Sequence, residues 1–217
     1  MKTVFSPGCA LLIHNPAQTE RMLKLLMNVY PEIELYDTCC HHEAKLDAGT
    51  QIVNICPGCD RRYRQEHNNV TTIPFWSILD KIDDFEFPDY KGAEMSITDA
   101  CPTRDQAELH KTIRNILQKM NISLKEPVKT GTNSKCCGDT FYGRLPTEKL
   151  KEQMAKRASE MPADDVVVYC VSCSKSMYIG GKTPRFLGDL IFNEKTKIGT
   201  FEPEEWHGEI EKFIEAH

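Results

Sequence analysis

Val166-Val167-Val168-Tyr169-Cys170-Val171-Ser172-Cys173 is the stretch on which the fold turns. Three valines and a tyrosine in unbroken succession read as a strand buried on both faces, the mark of a parallel sheet covered by helices. The strand runs straight into a C-x-x-C turn. A helix is expected to start there, because the free N–H groups of a first helical turn favour thiolate. Just upstream, Leu150, Met154, Ala158 and Met161 stripe one face of a helix. Strand, cysteine and helix therefore follow one another. Ligand sites in sheets of this kind lie beyond the carboxyl ends of the strands.

The same grammar occurs twice. One set of cysteines is Cys101, then Cys136-Cys137, then Cys170 and Cys173; the other is Cys9, then Cys39-Cys40, then Cys56 and Cys59. Each reads as single, double, C-x-x-C, which implies an internal duplication with halves of 1–92 and 93–217. In the first half Lys2 to Ser6 is extended and leads to Cys9. Asn15 and Pro16 read as helix N-cap and first helical residue, with Gln18 at the capping-box position. Met22, Leu23, Leu26 and Val29 form a stripe stopped by Pro31, Ile33 to Asp37 is extended, and Gln51 to Ile55 delivers Cys56. In the second half Met95 to Asp99 leads to Cys101. Thr103 with Gln106 reads as a further capping box, before an apolar face of Ile113, Ile116, Leu117 and Met120. The tail, Pro203 to Ala216, is an amphipathic helix with Trp206, Ile210, Phe213 and Ile214 on one side, expected to pack on the domain. The fold class is α/β, in two pseudo-symmetric halves.

The chain has 217 residues, 27 of them basic and 32 acidic, for a net charge of −5. A mildly acidic surface argues against a nucleic-acid partner. No apolar run approaches the roughly 18 residues of a membrane-spanning helix, and Pro7 and Gly8 break the N-terminus too early for a signal peptide, so a cytoplasmic protein is expected. Ten cysteines in a reducing compartment point to metal or redox chemistry rather than to a disulfide framework. Zinc wants four ligands in a tetrahedron, and each half offers five, including an adjacent pair. A thioredoxin-like C-x-x-C leaves three cysteines of each half unused. An iron–sulfur site accounts for all ten.

Cys136-Cys137-Gly138, with Cys101 upstream and Cys170-Val171-Ser172-Cys173 downstream, resembles the cysteine-rich CCG domain, which occurs twice in the disulfide-cleaving subunit of heterodisulfide reductase. The spacing in the second half is full: 34 residues separate Cys101 from Cys136 and 32 separate Cys137 from Cys170. The first half departs from the pattern. His41 stands where the motif has glycine, and only 15 residues separate Cys40 from Cys56, a gap expected to delete a helix. The resemblance implies two Rossmann-like CCG domains with short parallel sheets. It also implies a noncubane [4Fe-4S] cluster at each motif, held by Cys9, Cys39, Cys40, Cys56 and Cys59 and by Cys101, Cys136, Cys137, Cys170 and Cys173. It further implies a small disulfide or thiol substrate cleaved in a pocket between the halves. Electrons would come from a separate ferredoxin-like donor, since the chain has no C-x-x-C-x-x-C-x-x-x-C-P run. Two other readings stand beside it: a non-catalytic electron-transfer subunit of a larger dehydrogenase, and a zinc-binding structural protein.

Several neighbours of the cysteines carry expectations of their own. His41 is read as a hydrogen-bond donor to cluster sulfur rather than a ligand, with His42 beside it, and His14 as an exposed loop residue. Gly138 is read as letting the backbone approach the cluster and donate N–H bonds. Lys135, Arg144 and Lys175 are read as solvated charges rather than anion ligands. Gly180-Gly181 is read as a helix C-cap rather than a phosphate loop.

Overall fold

A computed structural model describes residues 2–217, and the two halves are built to one plan. In the first, β1 (Thr3–Ser6) is flanked by β2 (Glu34–Leu35) and β3 (Thr50–Asn54), and β4 (Val70–Pro74) lies outside β3. In the second, β5 (Glu94–Ile97) is flanked by β6 (Ser123–Lys125) and β7 (Asp165–Val168), with β8 (Thr183–Phe186) outside β7. The strand orders are β2-β1-β3-β4 and β6-β5-β7-β8, and every pairing is parallel. Val4 stands opposite Ile52, and Ile97 opposite Val167, all fully buried or nearly so. This is the α/β architecture with two short parallel sheets that the strand–cysteine–helix alternation predicts.

The helices follow from local sequence. Helix α1 (Cys9–His14) leads to α2 (Pro16–Met27), whose N-cap Asn15 accepts a hydrogen bond from the Gln18 N–H at 3.1 Å. The stripe is shorter than its spacing suggests: Met22 and Leu26 are buried, but α2 ends before Val29, which is exposed. Helices α3 (Pro57–Glu66) and α4 (Phe75–Leu79) complete the first half. In the second half α5 (Ala107–Lys119) buries Ile113, Ile116 and Leu117, α6 (Thr147–Ser159) buries Leu150, Met154 and Ala158, and α7 (Val171–Ile179) follows the second C-x-x-C. Helix α8 (Leu187–Leu190) closes the last crossover, and α9 (Pro203–Ala216) is the tail.

Two compact units divide the chain: residues up to Leu79 together with His207–His217, and Asp80–Trp206. Helix α9 is therefore shared, its first turn counting with the second unit and the remainder with the first. Among the described residues no helix is long and apolar enough to cross a membrane.

The Thr103–Gln106 capping box does not form. Thr103 closes a 3₁₀ turn, Cys101–Thr103, and α5 starts only at Ala107. The Thr103 hydroxyl is spent instead on a buried network, donating to the Ala100 carbonyl at 2.8 Å and meeting His110 Nε2 at 2.9 Å and the Tyr169 hydroxyl at 3.0 Å. Gly180 and Gly181 do end α7, with different tasks. The N–H groups of Gly181 and Lys182 bond back to the carbonyls of Tyr178 and Met177, a Schellman closure with Gly181 at φ +84°. A Cβ on Gly180 would sit 2.3 Å from that of Ala158, so this glycine lets α7 pack against α6.

Candidate metal centres

In both halves the strand end supplies the first cysteine and the C-x-x-C opens a helix. Cys9 is the first residue of α1 and Cys101 of the 3₁₀ turn after β5. Cys56 and Cys170 are the N-cap residues of α3 and α7, which places Cys59 and Cys173 one turn in, on the same side. The adjacent pairs arrive on the segments that follow β2 and β6.

All ten cysteines are free thiols, and those of each half converge. In the first, sulfur contacts run Cys9–Cys39–Cys40–Cys59–Cys56. In the second they run Cys101–Cys136–Cys137–Cys173–Cys170, with Cys173 Sγ donating to Cys137 Sγ at 3.3 Å. The order of contacts is identical under the duplication. Cys39, Cys40, Cys59, Cys137 and Cys173 are buried, and Cys9, Cys56, Cys101, Cys136 and Cys170 are half-buried, so the ends of each string are among its more exposed members. Among the described residues, no three histidine, cysteine, aspartate or glutamate side chains are grouped as a site for a single metal ion.

The electrostatics repeat as well. Hydrogen bonds from Cys40 and then Cys9 hold Cys39 far below the ordinary thiol range, and bonds from Cys101 and then Cys137 do the same for Cys136. Cys9 and Cys101 are pushed up by those same hydrogen bonds first and by burial second, and Cys59 and Cys173 by their bonds to Cys40 and Cys56 and to Cys137 and Cys170, with burial third. Cys56 is lowered to about 7 by the Cys59 thiol, burial working against it, and by the N–H groups of Cys59 and Gly58 at the start of α3. Each string thus has built-in sites for negative sulfur.

Gly138 differs from its expected role. Its N–H does donate to Cys136 Sγ, at 3.3 Å, and the Thr140 hydroxyl lies 2.9 Å from the same sulfur. Its lack of a side chain, however, serves α6: a Cβ would sit 2.6 Å from Met154 Cγ and 3.1 Å from the Met154 nitrogen, at φ +115°. The first half has no counterpart of α6 between Cys40 and β3, so the short gap did remove a helix. That explains His41: nothing presses on the position. The His41 side chain is exposed, and its backbone N–H bonds Cys39 as Gly138 bonds Cys136. His42, also exposed, donates from Nε2 to the Ile214 carbonyl at 2.7 Å. Ile214 packs on the cluster that contains Cys39 and Cys40, and the Cys39 N–H meets an oxygen of His217 at 3.4 Å. The end of α9 thereby covers the first string, which is why Cys39 is buried while Cys136 is half-open.

The first string also needs a glycine. A Cβ on Gly8 would lie 2.6 Å from Cys56 Cβ and 3.2 Å from Cys59 Sγ, at φ +85°. In the second unit one flanking residue departs from its reading. Lys175 is buried, at 2% exposure, with its ammonium 4.8 Å over the Trp206 ring and bonded to the Ile198 carbonyl. Trp206 Nε1 in turn donates to the Ser172 hydroxyl inside the C-x-x-C turn at 3.0 Å. Lys135, which pairs with Glu160, and Arg144 are both exposed, as expected. In the first unit His14 is half-buried on the last turn of α1 rather than in an exposed loop.

Arg157 is a supporting residue that the sequence did not announce. This guanidinium, 2% exposed, reaches from α6 to Thr98 Oγ1 at 3.3 Å, the Lys129 carbonyl at 3.0 Å and Ser134 Oγ at 3.3 Å, and pairs with Glu160 at 2.8 Å. It ties the end of β5 to the loop that leads into Cys136. Its one signal is an arginine beside Ala158 in the apolar stripe.

Residues 96–178 match the family model described as the CCG cysteine-rich domain. The matched segment is under half of the chain. It carries all five cysteines of the second string, from Cys101 to Cys173, and lies wholly within the second unit. A comparison with curated proteins found no match. The CCG domain and the clustered thiols point to an iron–sulfur or metal-binding role.

Proposed function

We propose that the chain is an iron–sulfur oxidoreductase resembling the disulfide-cleaving subunit of heterodisulfide reductase. Its first half is a diverged second copy of the CCG domain, and each string of five thiols holds one noncubane [4Fe-4S] cluster. The observation that carries the reading is the identical contact order of the two strings. Five sulfurs linked in sequence by neighbour contacts, one more than a single tetrahedral ion takes, suit a cluster that spreads its ligands over several irons.

When bound, such a cluster supplies electrons and an iron that accepts a thiolate. The chain's own residues would do the rest. The N–H groups of Gly138 and His41 and the Thr140 hydroxyl donate to cysteine sulfur, which favours negative charge there and tunes the potential. The helix starts at Cys56 and Cys170 keep thiolates oriented, and Cys39, Cys40, Cys59, Cys137 and Cys173 are held away from water. The proposed substrate is a small disulfide and the proposed donor a separate ferredoxin-like protein, in the cytoplasm.

Anaerobically prepared protein, reduced with a low-potential artificial donor, should cleave a small disulfide to two thiols per two electrons. Reduction of the clusters with no disulfide turnover would favour the electron-transfer subunit instead. Zinc without labile sulfide would favour the structural reading.

A further inference from the structure

Asp99 is not a candidate ligand, yet it is densely bonded beside the second string. It sits between β5 and Cys101 with its side chain at 0% exposure. Arg114 of α5 grips both its oxygens, at 2.6 and 2.8 Å. The Gly131 N–H reaches Oδ2 at 2.7 Å, the Thr130 hydroxyl reaches the same oxygen at 3.0 Å, and the Tyr169 hydroxyl reaches Oδ1 at 3.2 Å. The Asp99 carbonyl accepts from the Ser134 hydroxyl at 2.8 Å.

Arg114 of α5 apart, those partners belong to the three cysteine-bearing segments of the second string. Asp99 itself is two residues before Cys101. Gly131 and Ser134 lie on the loop that enters Cys136-Cys137, and Arg104 adds a bond to the Ser134 carbonyl at 2.6 Å. Tyr169 precedes Cys170, and its hydroxyl also accepts from the Ala100 N–H at 3.1 Å. One buried charge, paired with the Arg114 guanidinium, therefore fixes the spacing of all three. A dry carboxylate with this many donors does not let go easily, because each released donor would be left without an acceptor.

The first string is anchored differently. Pro7 stands two residues before Cys9, and the polar anchor there is Asp60, next to Cys59, which accepts from Asn54 Nδ2 at 3.0 Å and Arg64 Nε at 2.9 Å.

We propose that Asp99 is the positioning residue of the second cysteine site: its carboxylate sets the relative placement of Cys101, Cys136-Cys137 and Cys170, and through it the identity and electronic environment of the metal group those thiols hold. The proposal rests on the metal-binding reading above and adds a residue specific to one of the two sites. Asn at this position would turn an amide N–H₂ toward Arg114 or the Gly131 N–H, donor against donor, so the grip fails although the size is kept.

The test uses full-length Asp99→Asn, with Tyr169→Phe as a milder variant that removes one donor to Asp99 together with the hydroxyl's bonds to Ala100 and Thr103. Both are compared with the unsubstituted chain and with Cys137→Ser, which marks loss of the second site. All are prepared anaerobically, and iron, sulfide, circular dichroism and the paramagnetic resonance spectrum of the reduced protein are measured. The expected result is that Asp99→Asn loses about half of the iron, as Cys137→Ser does. Tyr169→Phe keeps its iron but shifts the resonance of the second site, and the first-site signal is unchanged in both. A merely structural role would lower stability without moving that spectrum. Folded Asp99→Asn and Tyr169→Phe proteins with unaltered iron and spectra would overturn the proposal. If Asp99→Asn does not fold, the Tyr169→Phe spectrum decides it alone. An unsubstituted chain that binds no metal would overturn the metal-binding reading and this proposal with it.

Discussion

Replacing Gly138 by alanine tests why the CCG motif carries its glycine. The added methyl would meet Met154 Cγ at 2.6 Å and the Met154 nitrogen and Cα at 3.1 and 3.2 Å. The Met154 side chain can swing away, but its backbone, in the middle of α6, cannot. Forcing an extra methyl into such a contact costs about 1–3 kcal/mol. The backbone at φ +115° adds a further ~1–3 kcal/mol, since an L side chain is strained there. Together they predict a loss of about 2–6 kcal/mol, read as a lower midpoint of denaturation at unchanged slope. The Gly138 N–H holds Cys136 sulfur and Cys137 is its chain neighbour, so the strain falls on two of the five thiols. Iron in the second site should fall with stability. The mirror experiment is His41→Gly. No helix opposes His41 and its side chain is exposed, so relief of crowding should contribute nothing. The substitution should cost only the ~0.4–1 kcal/mol of extra freedom given to the unfolded chain. A Gly138→Ala protein as stable as its parent, with full metal content, would refute the steric argument. A stabilised His41→Gly protein would refute its mirror.

Each string carries a full set of five thiols, so Cys137→Ser should empty the second site and spare the first, and Cys40→Ser should do the reverse; iron counts with circular dichroism check this, and joint loss in a folded protein would mean one shared site. Arg157→Met should cost about 1–3 kcal/mol in denaturant titration, because Thr98, Ser134 and the Lys129 carbonyl lose a buried partner while Glu160 keeps Lys135, and it should free the loop before Cys136 to exchange its amide hydrogens faster. Gly8→Ala should lower the metal content of the first site alone, since the methyl would strike Cys56 Cβ, an atom that moves only with the backbone of the C-x-x-C turn.

The parts of the fold legible in the sequence are those where one cause dominates. Val166 to Val168 are buried on both faces, so composition alone gives the strand, and Asn15 before Pro16 gives a helix start through capping. The duplicated order of cysteines points to the two matching sites. Strands β4 and β8 left no comparable signal. They are edge strands, partly exposed, and each holds a proline that an edge tolerates, Pro74 and Pro184. The reading of Thr103 as a cap failed because a buried hydroxyl network competes with capping, and one of its partners, Tyr169, is far along the chain. Lys175 was misread for the same reason: the ring that covers it comes from Trp206, on the tail helix. Asp99 and Arg157 look like ordinary surface charges until the loop from Lys129 to Ser134 folds over them.

The central claim is that each half of the chain holds an iron–sulfur cluster on its five cysteines. Iron, zinc and acid-labile sulfide counted on protein produced and purified without oxygen test it most directly. About eight irons and a similar amount of sulfide per chain, with no stoichiometric zinc, are expected. Two zincs per chain and no labile sulfide would contradict it.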